Sequence, residues 1–309
     1  MKNSEDTYHI PVLLNECLEG LSIRPDGRYV DVTFGGGGHA REIFKQLNEN
    51  GHLIGFDQDP DAKANAWEAP NFTFIAGNFA FLKNQLRMFN LFPVDGILAD
   101  LGVSSHQFDS GERGFSIRMD DELDMRMNQA GDLTAKKVVN EYDEEDLYRV
   151  FREYGEIQSL KRTVETILRA RQMQKIETTG QLRDLMAPLA QRGKEHKFLA
   201  QVFQAIRIEV NDEMNVLQKM LEQAVDVLKP GGRLVVISYH SLEDRLVKNF
   251  MKRGSFEGKI EKDFFGNILK PLEEVNRKPI LPTTEEMERN SRSRSAKLRI
   301  AIKLDTRVQ

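Results

Sequence analysis

A chain of 309 residues, 40% hydrophobic and 30% charged, is long enough for two domains or for one domain carrying an insertion. It has no run of ~18 apolar residues and opens on polar residues 1–6, so neither a membrane span nor an export signal is expected. One cysteine, Cys17, excludes an internal disulfide framework, and six histidines with no His-x-x-x-His pair make a metal site unexpected; a reducing cytoplasm fits this usage. The net charge of −4 argues against a wholly basic nucleic-acid coat. Residues 240–309 nevertheless carry 16 Lys/Arg against 11 Asp/Glu, a basic end on an acidic body.

An opening helix with Val12, Leu13, Cys17, Leu18 and Leu21 on one face precedes the first strand. Strands are predicted at Arg28–Thr33, His52–Phe56, Asn71–Ala76 and Val94–Ala99, with helices at Ala40–Leu47, Pro60–Ala66 and Phe81–Phe89 between them. This alternation implies parallel strands with helical crossovers, hence an open α/β sheet. Asp59 before Pro60 is a cap candidate. From about Phe108 to Lys197 no strand pattern occurs. Three amphipathic helices do, at Glu144–Tyr154, Gln158–Met173 and Gly180–Gln191, enough to close a small core of their own.

The α/β rhythm then resumes. A single long helix is expected over Ala200–Leu228, stopped by Lys229-Pro-Gly-Gly232, followed by a buried strand at Leu234–Ile237. Ser241 reads as the cap of a helix to Met251, with Asp244 completing a capping box. Residues 253–290 read as loop, and Lys297–Leu304 as a last strand. The expected domains are 1–107 and 198–309, forming one α/β domain with a basic end, and a helical insertion at 108–197 that would recognise RNA.

Four expected strands end where such a sheet keeps its site, at the carboxyl edge. The first runs into Thr33-Phe-Gly-Gly-Gly-Gly-His39, where glycines let the backbone turn tightly and approach a ligand. The N–H groups at the start of the following helix would face that ligand. Asp57, ending the second, lies 22 residues beyond Gly35, near the ~20-residue offset at which an acid meets ribose hydroxyls. The loop is a poor match to the Gly-x-Gly-x-x-Gly of pyrophosphate binders, and suits S-adenosylmethionine at least as well as NAD. Phe79 follows the third strand and could lie against an adenine face. Asp100 ends the fourth, where a transferring group should sit; capping the next segment is its plainer role.

Further along, Met119, Met125 and Met127 read as core filling, while Arg118 and Arg126 beside them could equally meet phosphates. His240 directly follows a buried strand and is open to three roles: proton shuttle, phosphate contact or helix cap. Ser291-Arg-Ser-Arg-Ser-Ala-Lys297, with Arg292 and Arg294, suits a phosphate backbone or is an ordinary solvated tail.

Ordered over almost the whole chain, His9-Ile-Pro-Val-Leu-Leu-Asn-Glu16, Thr33–His39, Asp57-Gln-Asp-Pro60 and Asp100-Leu-Gly-Val-Ser-Ser105 resemble the ribosomal RNA small subunit methyltransferase H family. So do Glu112–Ser116, Leu123–Met127, Phe203–Ile208, Pro230–Leu234, Ser238–Arg245 and the Arg-Ser-x-x-Leu-Arg end at 294–299. The resemblance implies a class I S-adenosylmethionine-dependent methyltransferase (Rossmann-like) sheet with an inserted helical domain. It implies methylation of N4 of a cytidine in the decoding region of 16S ribosomal RNA, within an assembled or assembling small subunit, and leaves a homodimer open.

By the family pattern Gly37, Gly38, His39, Asp57, Phe79, Asp100 and Gln107 contact the cofactor. Arg118, Arg126, His240, Arg292 and Arg294 are the candidate substrate contacts, and Asp100 is the candidate catalytic residue. The chain departs from the pattern at Gly36, where the family often has a basic residue, at Lys197-Phe-Leu199, and at Ile117-Arg-Met-Asp-Asp121.

A cytosine amine delocalised into its ring is a poor nucleophile, so orientation and electrostatics must supply most of the gain. The base would have to leave its stack to enter the pocket. Asp100 or a nearby carbonyl would accept the proton, although Asp100-Leu-Gly-Val103 is not the Asp/Asn-Pro-Pro-Tyr of many exocyclic-amine methyltransferases. The competing readings are a non-catalytic RNA-binding assembly factor and an NAD-dependent dehydrogenase. The latter lacks a pyrophosphate loop and a catalytic dyad.

Overall fold

The computed structural model describes residues 11–103, 113–266 and 268–305. The chain divides into two compact units: residues 1–102 with 216–309, and residues 103–215.

The first unit is an α/β sheet. In chain order it contains α1 (Leu14–Leu21), β1 (Arg28–Asp31), α2 (Gly38–Phe44), β2 (His52–Asp57), β3 (Phe72–Ala76), α3 (Leu82–Met88) and β4 (Val94–Asp100). Seven strands lie in the order β3-β2-β1-β4-β5-β7-β6, where β5 is Leu228–Ser238, β6 Leu272–Glu274 and β7 Lys297–Lys303. The first five run parallel, and β7 runs antiparallel between β5 and β6. This is an open, doubly wound α/β sheet with one antiparallel strand inserted beside its parallel part. Strand order reverses between β1 and β4, where Val30 pairs with Ile54 on one side and with Ile97 on the other. Sheets of this kind bind ligands in the crevice outside that reversal.

Apolar strands buried on both faces explain the parallel arrangement. Tyr29, Val30, Leu53, Ile54, Phe56, Ile97, Leu98 and Val235 are all buried. Trp67 stacks on Phe72 at 4.0 Å, and Phe34 and Phe44 pack against both. Phe34 can lie on β2 because Gly55 has no side chain: a Cβ there would stand 2.6 Å from its ring.

The second unit is helical, with α4 (Ala135–Glu141), α5 (Glu144–Glu153), α6 (Leu160–Met173), α7 (Thr179–Met186) and α8 (Glu195–Asn211). Its core is built from Leu147, Val150, Phe151, Val164, Ile167 and Leu182 of the expected helices. Val138 and Val139 of α4 join them, from a helix too short to show a period in the sequence. Phe198, Leu199, Val202, Phe203 and Ile206 also belong to this core, so residues 198–215 fall in the helical unit and not in the C-terminal part of the sheet unit.

The long helix expected over Ala200–Leu228 is in fact two, α8 and α9 (Glu213–Val227), broken at Asp212. Asp212 is left-handed at φ 49°, a conformation Asp tolerates better than most residues. The Asn211 side chain donates to the Met125 and Arg207 carbonyls and accepts from Met127 N–H, which holds the break in place.

Other boundaries shift for local reasons. Residues Pro60–Asn65 form a 3-10 turn capped by Asp59, which accepts from Asp61 N–H at 3.1 Å. β5 begins at Leu228, and its Pro-Gly-Gly bulges out between pairs Val94–Leu228 and Gly96–Arg233. The expected loop over 253–290 contains β6 and α11 (Thr284–Arg289), both too short to announce themselves by periodicity. The last helix before that stretch, α10 (Ser241–Arg253), is capped one residue earlier than expected, by His240 with Glu243 in place of Ser241 with Asp244. No helix among the described residues is long and apolar enough to cross a membrane.

Candidate active site

The carboxyl ends of β1, β2, β4 and β5 meet at the strand-order reversal, and most of the expected cofactor residues meet with them. Beyond β1 the chain turns through Gly35 (φ 48°) and Gly37 (φ 75°), closed by Gly37 N–H donating to the Phe34 carbonyl at 2.7 Å. Gly37 needs to be glycine for its left-handed backbone and because a Cβ would stand 3.0 Å from the Phe34 ring. Gly38 opens α2 against Pro11, whose Cγ a Cβ would approach to 2.6 Å. A Cβ at Gly36, by contrast, would meet nothing within 4 Å.

Asp57 ends β2 and clasps this loop. Its Oδ2 accepts from Gly35 N–H at 2.7 Å and its Oδ1 from Asp59 N–H at 2.9 Å. Burial raises its carboxyl above the ordinary value, against the pull of those two donors. Each oxygen keeps acceptor capacity for a hydroxyl. The neighbouring turns are tied together, since Asn78 Nδ2 donates to Gln58 Oε1 at 2.7 Å. Asn78 caps the 3-10 turn that carries half-buried Phe79.

Asp31, Thr33, His39, Asp100 and Tyr239 form a polar cluster beside the loop, with Asp31 and His39 buried and the other three half-buried. Asp31 Oδ1 accepts from Thr33 N–H at 3.0 Å, and the Thr33 hydroxyl oxygen accepts Asp100 N–H at 2.7 Å. The His39 Nε2 lies 3.0 Å from the Val12 carbonyl, which can only accept, so Nε2 carries the proton in the neutral ring. Burial lowers the His39 pKa, so the ring is neutral and its Nδ1, 3.8 Å from Asp100 Oδ2, is a neighbour of that carboxyl rather than an ion-pair partner.

Both carboxyls are pushed up, mainly by burial: Asp31 to about 6 and Asp100 to about 7. Asp100 Oδ1 accepts the Tyr239 hydroxyl at 2.7 Å, which opposes that rise. A carboxyl poised near neutrality at the strand-order reversal can take up and release a proton under working conditions.

The remaining expected residues are placed differently. Gln107 lies outside the described residues. Arg126 is committed to its own turn: it forks onto Asp124 and donates to the Gln129 and Gly131 carbonyls. Arg118 is exposed. Both belong to the helical unit, where Leu123 and Met125 are buried core, Met127 is partly buried against it, and Met119 is exposed. Of the three roles open to His240, the structure displays the cap. Its ring is buried, Nδ1 accepts from Glu243 N–H at 3.4 Å, and Nε2 lies 3.1 Å from Glu243 Oε1 without hydrogen-bond alignment. Arg292 and Arg294 sit in the 3-10 turn Ser291–Ser295, with Arg294 exposed.

Asp31, Thr33 and Tyr239 are members of the cluster that sequence reasoning missed. A carboxylate inside the apolar run Tyr29-Val-Asp-Val32 was a readable signal for Asp31. Tyr239 could be matched with Asp100 only through the β4–β5 pairing that aligns Asp100 with Ile237.

The MraW methylase family model matches residues 6–304. The chain is 58% identical to the ribosomal RNA small subunit methyltransferase H of Parabacteroides distasonis, over 98% of this chain and 100% of that one. It is 57% identical to the protein of the same name from Bacteroides fragilis, over 98% and 100%. With that of Flavobacterium johnsoniae the identity is 56%, over 96% and 98%.

Proposed function

We propose, since the chain belongs to the MraW methylase family, that it methylates N4 of a cytidine in the decoding region of 16S ribosomal RNA, using S-adenosylmethionine. The coarser statement, a methyltransferase of small-subunit ribosomal RNA, follows from the family and from relatives above 50% identity over nearly full length. The site for the reaction would be the β1–β4 reversal. The observation that carries this reading is the pair of strand-end carboxyls there, Asp57 clasping the glycine loop and Asp100 poised near neutrality.

The residues present fit the methyl donor. Asp57 offers acceptors to ribose hydroxyls, the open space over Gly36 admits a ligand against bare backbone, and Phe79 offers a ring to adenine. When bound, S-adenosylmethionine supplies an electrophilic methyl on a sulfonium. The chain's own part is to hold the target amine, exclude water and receive a proton. Asp100 is the group suited to receiving that proton, because its carboxyl sits where it can accept from an exocyclic amine and draw density toward the nitrogen. No group of the cluster needs to act as nucleophile.

The partner would be 16S ribosomal RNA in an assembling or assembled small subunit in the cytoplasm, with a homodimer as an open arrangement. The test is transfer of tritiated methyl to naked 16S RNA and to assembled subunits, followed by digestion to nucleosides. Label in N4-methylcytidine supports the reading. Label in another nucleoside, or none on either substrate, refutes it.

A further inference from the structure

Asp100 is surrounded by groups from five parts of the sheet unit. From β1 comes Asp31, which shares Thr33 with Asp100 as a hydrogen-bond neighbour and whose own carboxyl, raised first by burial, is raised further by the Asp100 charge. From α2 comes His39, 3.8 Å away and without a hydrogen bond. From α1 comes the buried Cys17 thiol, pushed up first by burial and then by the Asp100 charge. From the turn after β5 comes Tyr239, and from α10 the charge of Glu243. Only Tyr239 donates a hydrogen bond to the Asp100 carboxyl among the described residues. Oδ1 takes the phenol hydrogen at 2.7 Å, and Oδ2 takes none from them.

Tyr239 itself cannot swing freely. Its backbone N–H donates to Glu243 Oε2 at 2.9 Å, and Glu243 is buried as part of the capping box that starts α10. That bond anchors its backbone at the helix terminus, its ring packs against the core of the sheet unit, and its hydroxyl meets one oxygen of the carboxyl.

We propose that Tyr239 is a positioning residue for methyl transfer, its hydroxyl fixing Asp100 Oδ1 so that Oδ2 is presented as the acceptor of the amine proton. This rests on the reading of Asp100 as that acceptor. The balance is simple. The amine lone pair forms the N–CH3 bond while the S–CH3 pair returns to sulfur, leaving a neutral thioether. The proton lost from nitrogen passes to Asp100 Oδ2 and then to solvent. The Tyr239 hydroxyl keeps its own hydrogen and stabilises the ionised carboxylate, which is the reactive form.

The test is the pH profile of single-turnover methyl transfer, measured from pH 5.5 to 9 for the parent, Tyr239→Phe and Asp100→Asn, with S-adenosylmethionine affinity measured by calorimetry. Removing the donor disfavours the ionised carboxylate. The acid limb of Tyr239→Phe should therefore move up by about one pH unit, with cofactor affinity within about threefold of the parent and Asp100→Asn depressed at every pH. A second variant, with 3,5-difluorotyrosine at position 239, keeps the shape and strengthens the donor. Its acid limb should move to lower pH, and it serves if Tyr239→Phe does not fold.

An acid limb that stays in place in the folded variant, or a uniform loss at all pH values, overturns the positioning role. Parental rates in Asp100→Asn overturn the reading of Asp100 and the proposal with it. A depressed Asp100→Asn beside an unmoved Tyr239 profile overturns the proposal alone.

Discussion

Replacing Asp57 by Asn keeps the shape of the side chain and removes its charge. The carboxylate accepts the Gly35 and Asp59 N–H groups at 2.7 and 2.9 Å, is also bonded by the Gln58 backbone, and keeps acceptor capacity for a hydroxyl. Asn retains one carbonyl oxygen and turns an NH2 toward the other donor, so one clasp of the loop is lost. The ribose side loses a charged acceptor as well. Hydrogen bonds to charged groups are worth about 1.5–3 kcal/mol, and every 1.4 kcal/mol is tenfold in affinity, so a net loss of about 2–3 kcal/mol is expected.

S-adenosylmethionine should then bind Asp57→Asn about 30- to 150-fold more weakly by calorimetry. Loss of the clasp should also lower thermal stability, because Gly35 sits at a left-handed turn that the carboxylate holds. Equilibrium binding within about threefold of the parent, in protein whose circular dichroism is unchanged, would refute the assignment of Asp57 to the ribose.

Two adjacent glycines should answer differently to alanine. Gly36→Ala meets open space and should change unfolding free energy by less than about 0.5 kcal/mol, whereas Gly37→Ala forces a side chain into φ 75° against Phe34 and should cost about 1–2 kcal/mol by urea titration. Asp100, at about 7 when folded against an ordinary value of 3.8, binds more protons folded than unfolded between those pH values, so its contribution to stability falls as pH rises through that window. Ligand-free Asp100→Asn should accordingly melt above the parent at pH 8 and lose the advantage near pH 4. Arg126→Met leaves the Gln129 and Gly131 carbonyls without their guanidinium donor and Asp124 with the residue-126 backbone N–H alone, and should destabilise the helical unit by about 2–3 kcal/mol, read as a lower melting temperature. A Tm equal to the parent's would show the fork to be dispensable.

The parallel part of the sheet was legible because its strands are short apolar runs separated by helices, and because each ends in a residue of distinct chemistry. The glycine run, Asp57 and Asp100 could be proposed as site residues from position, while Gly37 was singled out from that run only by the family resemblance. The break at Asp212 was hidden, since the apolar period runs on from Ile206 and Ile208 into Val216 and Leu217 while the interruption is made by Asn211 reaching the distant Met125 carbonyl. The same blindness applies to Tyr239 and Asp100, 139 residues apart and joined only by strand pairing. Local pattern names strand ends; it does not say which of them are neighbours. His240 shows the converse, a residue of active-site chemistry that the structure uses to start a helix.

The interruption of the sheet by the helical unit also has a consequence for synthesis on the ribosome. The central strand β4, buried along Gly96–Ala99, pairs with β1 on one side and β5 on the other. Its second partner starts at Leu228, 128 residues after Asp100. At about 5–20 residues per second that interval lasts roughly 6 to 25 seconds. Throughout it, the nascent β3-β2-β1-β4 half-sheet has β4, buried in the finished sheet, as an open edge, the feature that promotes aberrant pairing between chains. The helices emitted meanwhile make mostly local contacts and can fold in that time. Maturation of this enzyme should therefore depend more on shielding of that edge by a chaperone than on the stability of the finished sheet.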